Sequence, residues 1–205
     1  MDELGFSSGI EAILMTQATK KQMLFEEYLS YDDGTDKKYE FVGGKLVEMP
    51  PESPLNSRIS FFLALQFAKI LSFERICHKD TEIAVSGSQV QVRLPDLMIL
   101  SEELAAILTE SKRGTIGLDM PPPELIIEVA SPGTTNQERD YRFKRSEYAA
   151  RAVPEYWVID PEERKTTVYT LVAGFYEEKE YTGNNIILSR FEIQLTTAQI
   201  LNRKC

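Results

Sequence analysis

Short runs in which apolar and polar residues alternate occur along much of the chain, and this period of two predicts β-strands. In the run 38–49, two alternating segments flank Gly43 and Gly44, which predicts a hairpin. The run 124–130 is almost continuously apolar and is bounded by prolines, so it predicts a buried strand. Further strands are predicted over residues 81–85, 88–94, 96–100, 155–160, 165–171, 174–182 and 184–189.

Apolar residues at helical spacing separate these strands. The longest such segment is 55–75, and residues 136–152 form a second amphipathic segment with Asn136 as a suitable N-cap. Shorter helices are predicted within 23–34, 101–110 and 196–201. The aromatic residues on the apolar faces are assigned to the core rather than to nucleobase stacking: Phe61, Phe62, Phe67 and Trp157. The order of hairpin, helix, strands, helix and strands predicts an α/β fold with a mixed sheet flanked by helices.

The length of 205 residues suits one domain with a small appendage. Residues 1–22 show almost no periodicity and are predicted to form an N-terminal arm, whereas residues 23–205 are predicted to form a single domain. The pattern GxSxG of serine hydrolases occurs at residues 5–9, but it lies in the arm with no strand before it. We therefore do not assign it a catalytic function.

The chain is acidic, with 23 basic and 32 acidic side chains and a formal net charge of −9. Such a chain does not coat nucleic acid nonspecifically, so a phosphate-bearing substrate must meet a local basic patch or a metal ion. The two cysteines form no metal-binding motif and are interpreted as free thiols of a reducing compartment. The most apolar stretch, 59–71, is too short to span a bilayer. We therefore expect a cytoplasmic protein without a membrane partner.

Glu128 is the most unusual residue of the pattern, because it lies in the middle of the apolar run 124–130. Burial of an unpaired carboxylate costs several kcal/mol or forces its neutralisation. A structural alternative is an edge strand whose outer face carries Glu124 and Glu128. However, Ile126 and Ala130 share that face, so we favour a functional carboxylate.

Asp96 follows Pro95 at the start of another predicted strand. Alone it would be interpreted as a turn aspartate. If its strand lies beside the strand of Glu128, the two carboxylates form an oxygen-rich site suited to a hard cation such as Mg²⁺.

The predicted helix 136–152 places Asp140, Lys144 and Tyr148 on one face, because they are spaced four residues apart. A surface Asp–Lys pair is the structural alternative, worth about 0.3–0.5 kcal/mol. The functional hypothesis is a lysine that orients a water or offsets charge developing on a phosphate. The same helix is locally basic, with candidate nucleic-acid contacts at Arg139, Arg142 and Arg145.

Several motifs together resemble one known family. The segments "VRLPDLMIL", "PPELIIEVASPGT" and "VPEYWVIDPEERKTTVY", with Asp140, Lys144 and Tyr148 at four-residue intervals, look like the Uma-two family of predicted restriction endonucleases. That family is a branch of the PD-(D/E)xK nuclease superfamily. The resemblance also includes "FEEYL" and "YEFVGGKLVEMPPESP", and it covers roughly residues 24–200.

This resemblance implies a restriction-endonuclease-like fold and a Mg²⁺-dependent endonuclease, with Mn²⁺ as a substitute, acting on nucleic acid and most naturally on DNA. It implies Asp96, Glu128 and the carbonyl of Val129 as metal ligands, and Glu40 as an acid that binds or orients the metal. The superfamily lysine would stand at position 130, which is Ala130 here, so Lys144 is expected to replace it, supported by Asp140 and Tyr148.

One departure from the family, one analogy and two alternative functions accompany that expectation. Many relatives have histidine after the "PPxSP" segment, whereas Asn56 and Ser57 stand there in this chain. A homodimer is expected only by analogy with nucleases that cut two strands. The alternatives are a catalytically inactive nuclease fold used for binding or regulation, and a carboxylate-pair glycoside hydrolase, which would leave Lys144 without a function.

Overall fold

The computed structural model describes residues 22–87, 91–133 and 139–202, with residues 139 and 140 described by their backbone alone. The predicted arm, apart from Gln22, and the predicted N-cap Asn136 therefore lie outside the described residues. Within the described ranges, every helix is too short or too polar to cross a lipid bilayer.

The described helices are short, and most occur where the sequence pattern predicts them. They are α1 (Phe25–Leu29), α2 (Pro54–Phe67), a 3₁₀ helix (Phe73–Arg75), α3 (Glu102–Thr109), a π-helix (Arg139–Lys144), α4 (Arg145–Ala150) and α5 (Thr197–Leu201). Capping explains several starts: the Ser53 side chain accepts a hydrogen bond from the Asn56 amide, and Ser101 accepts one from Leu104. The predicted helix over 136–152 is thus, where described, a π-helical turn followed by an α-helix.

The strands form two mixed sheets. They are β1 (Tyr39–Val42), β2 (Lys45–Glu48), β3 (Ile76–Cys77), β4 (Glu82–Val85), β5 (Gln91–Arg93), β6 (Leu97–Ile99), β7 (Thr115–Ile116), β8 (Leu125–Val129), β9 (Glu155–Asp160), β10 (Lys165–Val172) and β11 (Phe175–Thr182). The larger sheet has the order β11-β10-β9-β8-β6-β3, and the smaller has the order β2-β1-β5-β4-β7. The pairs β8–β9 and β4–β7 are parallel, and the other pairs are antiparallel. The fold is therefore α/β, as predicted.

Two sequence expectations about elements are corrected. The helix predicted over 55–75 ends at Phe67, where one carbonyl accepts hydrogen bonds from the amides of both Ile70 and Leu71 and closes the last turn. Residues 184–189 do not form a strand: Ile186 makes an isolated bridge to Thr196. The reason is that its backbone pairs with residues 195–196 at only one place, through the Ile187 amide and the Leu195 carbonyl, and that Ser189 turns to the Glu155 carboxylate at 2.6 Å.

Buried side chains cover both faces of the larger sheet. On one face, Ile59, Leu63 and Phe67 of α2 pack against alternate residues of the central strands, including Ile127 and Trp157. On the other face, residues of α3, α4 and the smaller sheet pack against the intervening positions: Ile83, Val85, Leu104, Ile126, Tyr148, Tyr156 and Val158. Since side chains alternate along a strand, Glu128 shares the second face with Ile126. That face is where the candidate site lies.

Candidate active site

Strand pairing brings the two predicted carboxylates together. Strands β6 and β8 are antiparallel with Leu97 opposite Ile127, so Asp96 lies beside Glu128 at the next position. The backbone amide of Val129 donates a 2.7 Å hydrogen bond to Oδ2 of Asp96. This bond fixes the orientation of the Asp96 carboxylate at the border of β8.

Glu128 lies on an interior strand, because β8 pairs with β6 on one side and β9 on the other. The edge-strand alternative for Glu128 is therefore wrong. The residue is only 4% exposed. A carboxylate at that depth needs partners to offset its desolvation.

Lys144 and Tyr148 provide those partners. The Nζ of Lys144 lies 2.8 Å from Oε1 of Glu128, and the Tyr148 hydroxyl donates a 2.9 Å hydrogen bond to the same oxygen. Lys144 comes from the last turn of the π-helix and Tyr148 from α4, one turn later on the same face. Burial, followed by the charge of Glu128, raises the pKa of Tyr148 well above its usual value, so the hydroxyl stays protonated and donates.

Glu40 joins this group from β1 of the smaller sheet. Its Oε1 lies 3.7 Å from Nζ of Lys144, and its Oε2 lies 2.9 Å from NH1 of Arg93. Arg93 also binds both carboxylate oxygens of Glu147, through Nε and NH2, each at 2.7 Å. Burial opposes the charge on Arg93, but the bonds to Glu147 and the charge of Glu40 outweigh it and raise the pKa of Arg93. The guanidinium thus links strand β1 to helix α4 behind the lysine.

A cleft of about 560 Å³ opens beside these groups. Four predicted site residues line it: Asp96, Glu128, Val129 and Lys144. Three further lysines, Lys37, Lys38 and Lys79, line the same cleft, together with the acidic residues Asp36, Glu48 and Glu52. A phosphate group entering this cleft would meet ammonium groups as well as carboxylates.

Asn56, which stands where the sequence resemblance led us to expect histidine, reaches the site directly. Its side-chain amide lies 3.3 Å from each of the carbonyls of Val129 and Ala130 and from the Ser131 hydroxyl. Asn56 is buried on the first turns of α2. One lone pair of the Val129 carbonyl is thereby used, and the other is compatible with a cation because a carbonyl oxygen can accept twice.

The donor set has the chemistry that a divalent cation requires. Two carboxylates and one backbone carbonyl present oxygen ligands to one cleft, and Mg²⁺ is commonly held by one or two carboxylates together with waters and substrate phosphates. Within the described ranges no cluster of three or more histidine, cysteine or acidic side chains is arranged to hold a metal. The residues present therefore fit a cation that also depends on water and substrate for ligands.

The predicted nucleic-acid contacts lie elsewhere. Arg145 pairs with Glu178 at 3.1 Å and stacks on Tyr169 with its guanidinium carbon 4.8 Å from the ring centroid. Arg142 is exposed and lies over the Phe143 ring. Neither is among the cleft residues, and the side chains of Arg139 and Asp140 lie outside the described part of the chain.

This chain is similar to known proteins in both sequence and fold. The profile of the Uma2 (Uma-two) family, described as "Putative restriction endonuclease", matches residues 25–198. The chain belongs to this family. A solved structure from Anabaena variabilis ATCC 29413, described as "a putative nuclease", aligns with a TM-score of 0.66. The alignment covers 87% of this chain and 97% of that chain at 14% identity, which confirms the restriction-endonuclease-like fold of this member. A comparison with curated proteins gives no match.

Sequence reasoning missed several residues that surround the site. Arg93, Glu147 and Lys79 were not assigned any function, although Arg93 stands within the segment "VRLPD". A buried arginine between valine and leucine on a strand is a signal that could have identified it, since arginine is rarely buried unless paired. Nothing in the local pattern around Lys79 indicates that its side chain reaches Asp96.

Proposed function

We propose that this Uma2 member is a divalent-cation-dependent endonuclease that hydrolyses phosphodiester bonds of DNA. The observation that carries the proposal is the buried Lys144–Glu128 pair beside Asp96 in an open cleft. Burying a lysine and a carboxylate is costly, and apolar side chains could fill the same volume at lower cost. A charged group retained at a cleft wall is typical of catalytic sites.

Each residue has a defined function in this proposal. Asp96, Glu128 and the Val129 carbonyl would hold the cation, which when bound supplies charge neutralisation and a bound water of lowered pKa. Lys144 donates from Nζ to a water or to a phosphoryl oxygen and offsets the negative charge that develops there. Tyr148 fixes the Glu128 carboxylate, and Glu40 and Arg93 hold Lys144 in place. We also propose a homodimer, since two sites are needed to cut both strands of a duplex together.

The decisive experiment is cleavage of a supercoiled plasmid, a single-stranded oligonucleotide and a branched DNA in Mg²⁺ or Mn²⁺. The wild type is compared with Asp96→Asn and Lys144→Met, and Lys69→Met is the matched control because Lys69 is exposed and bonds Gln66. We expect cation-dependent cutting that falls by at least about 100-fold in the two site variants and is unchanged in the control. Equal cutting by all four proteins would contradict the assigned site.

A second candidate function is a non-catalytic nucleic-acid-binding or regulatory module. The observation in its favour is that the site carboxylates are already paired within the chain, Glu128 with Lys144 and Asp96 with Lys79. Under this alternative, wild-type protein binds DNA in a gel-shift assay without cutting it, and Mg²⁺ changes neither result. Cation-dependent cutting that Asp96→Asn abolishes would exclude it.

A further inference from the structure

Lys79 is directed into the cleft by an unusual backbone. It lies between β3 and β4 and has a φ of 61°, in the left-handed region that residues with a Cβ rarely adopt. The Lys79 carbonyl accepts a hydrogen bond from the Lys38 ammonium, which holds this conformation from the other side. In this conformation the Lys79 side chain reaches Asp96 in the cleft that Lys144 also lines.

The Lys79 ammonium has two acidic neighbours. It lies 3.4 Å from Oδ1 of Asp96 and forms an ion pair with Glu52, and its side chain is 19% exposed. The other oxygen of Asp96, Oδ2, is engaged by the Val129 amide. Oδ1 is the Asp96 oxygen that Lys79, a residue of the cleft, approaches.

A cation bound by Asp96 and Glu128 would need that same oxygen. The Lys79 ammonium and a divalent cation cannot both lie against it without strong repulsion. Lys79 can leave Asp96 without losing every acidic partner, because it is already paired with Glu52, which also lines the cleft. If a divalent cation replaces the Lys79 ammonium at Asp96, Lys79 therefore still has Glu52 as an acidic partner.

We propose that Lys79 is an internal counterion that lies against Asp96 Oδ1, where a divalent cation would bind, and that it leaves this oxygen but stays paired with Glu52 when the cation binds. The inference rests on the cation-binding part of the proposed function. In the cation-free protein, Lys79 reduces the repulsion between Asp96 and Glu128. After exchange, its charge remains on the cleft wall, where an incoming phosphate would meet it.

The test is Mn²⁺ affinity, measured by titration calorimetry and by the loss of the free Mn²⁺ signal in electron paramagnetic resonance, without nucleic acid. Lys79→Met removes the ammonium and keeps a similar chain length. Lys37→Met is the matched control, because Lys37 lines the same cleft and carries the same charge but pairs with Glu48 at 2.9 Å. We expect Lys79→Met to bind Mn²⁺ about tenfold more tightly than the wild type. Lys37→Met should change the Mn²⁺ affinity by less than about threefold, because the charge of Lys37 acts on the cation only through solvent.

A double variant shows whether the effect passes through Asp96. In an Asp96→Asn background, Lys79→Met should no longer tighten Mn²⁺ binding. Equal effects of Lys79→Met and Lys37→Met, or Mn²⁺ binding by neither the wild type nor Lys79→Met, would overturn the proposal. Thermal melts of each variant in the absence of Mn²⁺ identify any protein that has not folded, and Lys79→Gln then replaces Lys79→Met.

The outcome is separable from the proposed nuclease activity. Tighter Mn²⁺ binding by Lys79→Met without DNA cleavage by any variant would support the counterion function and reject the nuclease. DNA cleavage by the wild type, with no selective effect of Lys79→Met on Mn²⁺ affinity, would support the nuclease and reject the counterion function.

Discussion

The Nζ of Lys144 lies 2.8 Å from Oε1 of Glu128, and the two residues are 1% and 4% exposed. They come from different elements, the end of the π-helix and the interior strand β8. The contact therefore couples the position of the helix to the position of the carboxylate. Loss of either charge removes this counter-charge from the other buried side chain.

The first prediction concerns that pair. We expect Lys144→Met and Glu128→Gln each to lower the free energy of unfolding by about 3–5 kcal/mol, since each breaks a buried ion pair by removing one partner. The double variant should cost less than the sum of the two, because both charges are then absent. Urea unfolding at pH 7 measures all four proteins, and additive effects would contradict direct coupling.

The second prediction concerns Arg93, which binds Glu40 and both oxygens of Glu147. Arg93→Lys keeps the charge but cannot make this set of bonds, so we expect a loss of about 3 kcal/mol. Arg145→Lys is the control, since Arg145 is more than one-third exposed and its contacts with Glu178, Tyr169 and the Tyr176 carbonyl lie at the surface, so we expect a loss of only about 1 kcal/mol. Equal losses of stability in thermal or urea unfolding would contradict a larger contribution from the buried Arg93 contacts than from the exposed Arg145 contacts.

The third prediction concerns Asn56. Its amide donates towards two carbonyls at the end of β8, so Asn56→Asp places a carboxylate against them and should destabilise the protein by about 2–3 kcal/mol. Asn56→Ala removes the donor without adding charge and should cost about 1–2 kcal/mol. Urea unfolding distinguishes the two, and an Asp variant as stable as the Ala variant would indicate that the aspartate is protonated or turned away.

Much of the fold is predictable from local pattern. The hairpin around Gly43 and Gly44 forms as predicted, and both glycines have positive φ, as a two-residue hairpin turn requires. Strand β8 was predicted as buried from its composition alone. The two-residue strands β3 and β7 were not predicted, because so short a segment has no measurable period and is defined only by its partners.

The site is partly predictable for a different reason. Lys144 and Tyr148 are four residues apart, and helical geometry alone places them on one face, where both contact Glu128. The bond from Arg93 to Glu40 and the approach of Lys79 to Asp96 depend on how distant segments pack, so no local spacing encodes them. The pairing of the strand that follows Asp96 with the strand of Glu128 also depends on distant segments, and only the family resemblance supported it.

The fourth prediction corrects an assignment to the core. Phe61 was expected on a buried face of α2 but is 55% exposed, whereas Phe67, six residues later, is 0% exposed and packs against Trp157. The physical reason is that six residues correspond to nearly two-thirds of a turn beyond one full turn, so the two rings lie on different sides. Phe67→Ala should cost about 3–5 kcal/mol and Phe61→Ala about 0.5 kcal/mol or less. Thermal unfolding of both variants measures the difference, and equal losses would contradict this placement of α2.

The fifth prediction concerns alkaline pH. Burial, with a contribution from Glu178, raises the pKa of Tyr169 to about 12, and burial also raises the pKa of Tyr148 and of Tyr176. An unfolded tyrosine has a pKa of about 10. Below about pH 10 these tyrosines are protonated in both the folded and the unfolded protein, so their full contribution to the free energy of unfolding is present. Above that pH the unfolded chain loses protons that the folded chain retains, so stability falls as pH rises towards the folded pKa values.

Tyr176→Phe isolates one contribution to this loss. The Tyr176 hydroxyl donates to the Val153 carbonyl at 2.8 Å, so the variant should be about 1 kcal/mol less stable at pH 8. Between pH 10 and 12 the free energy of unfolding should fall less steeply with pH in the variant than in the wild type. The two slopes should differ by about 1.4 kcal/mol per pH unit, because the variant releases one proton fewer on unfolding. Urea unfolding at several pH values, with tyrosinate absorbance of the folded protein as an independent titration, tests this. Parallel slopes for the two proteins would mean that Tyr176 ionises in the folded state near its ordinary pKa.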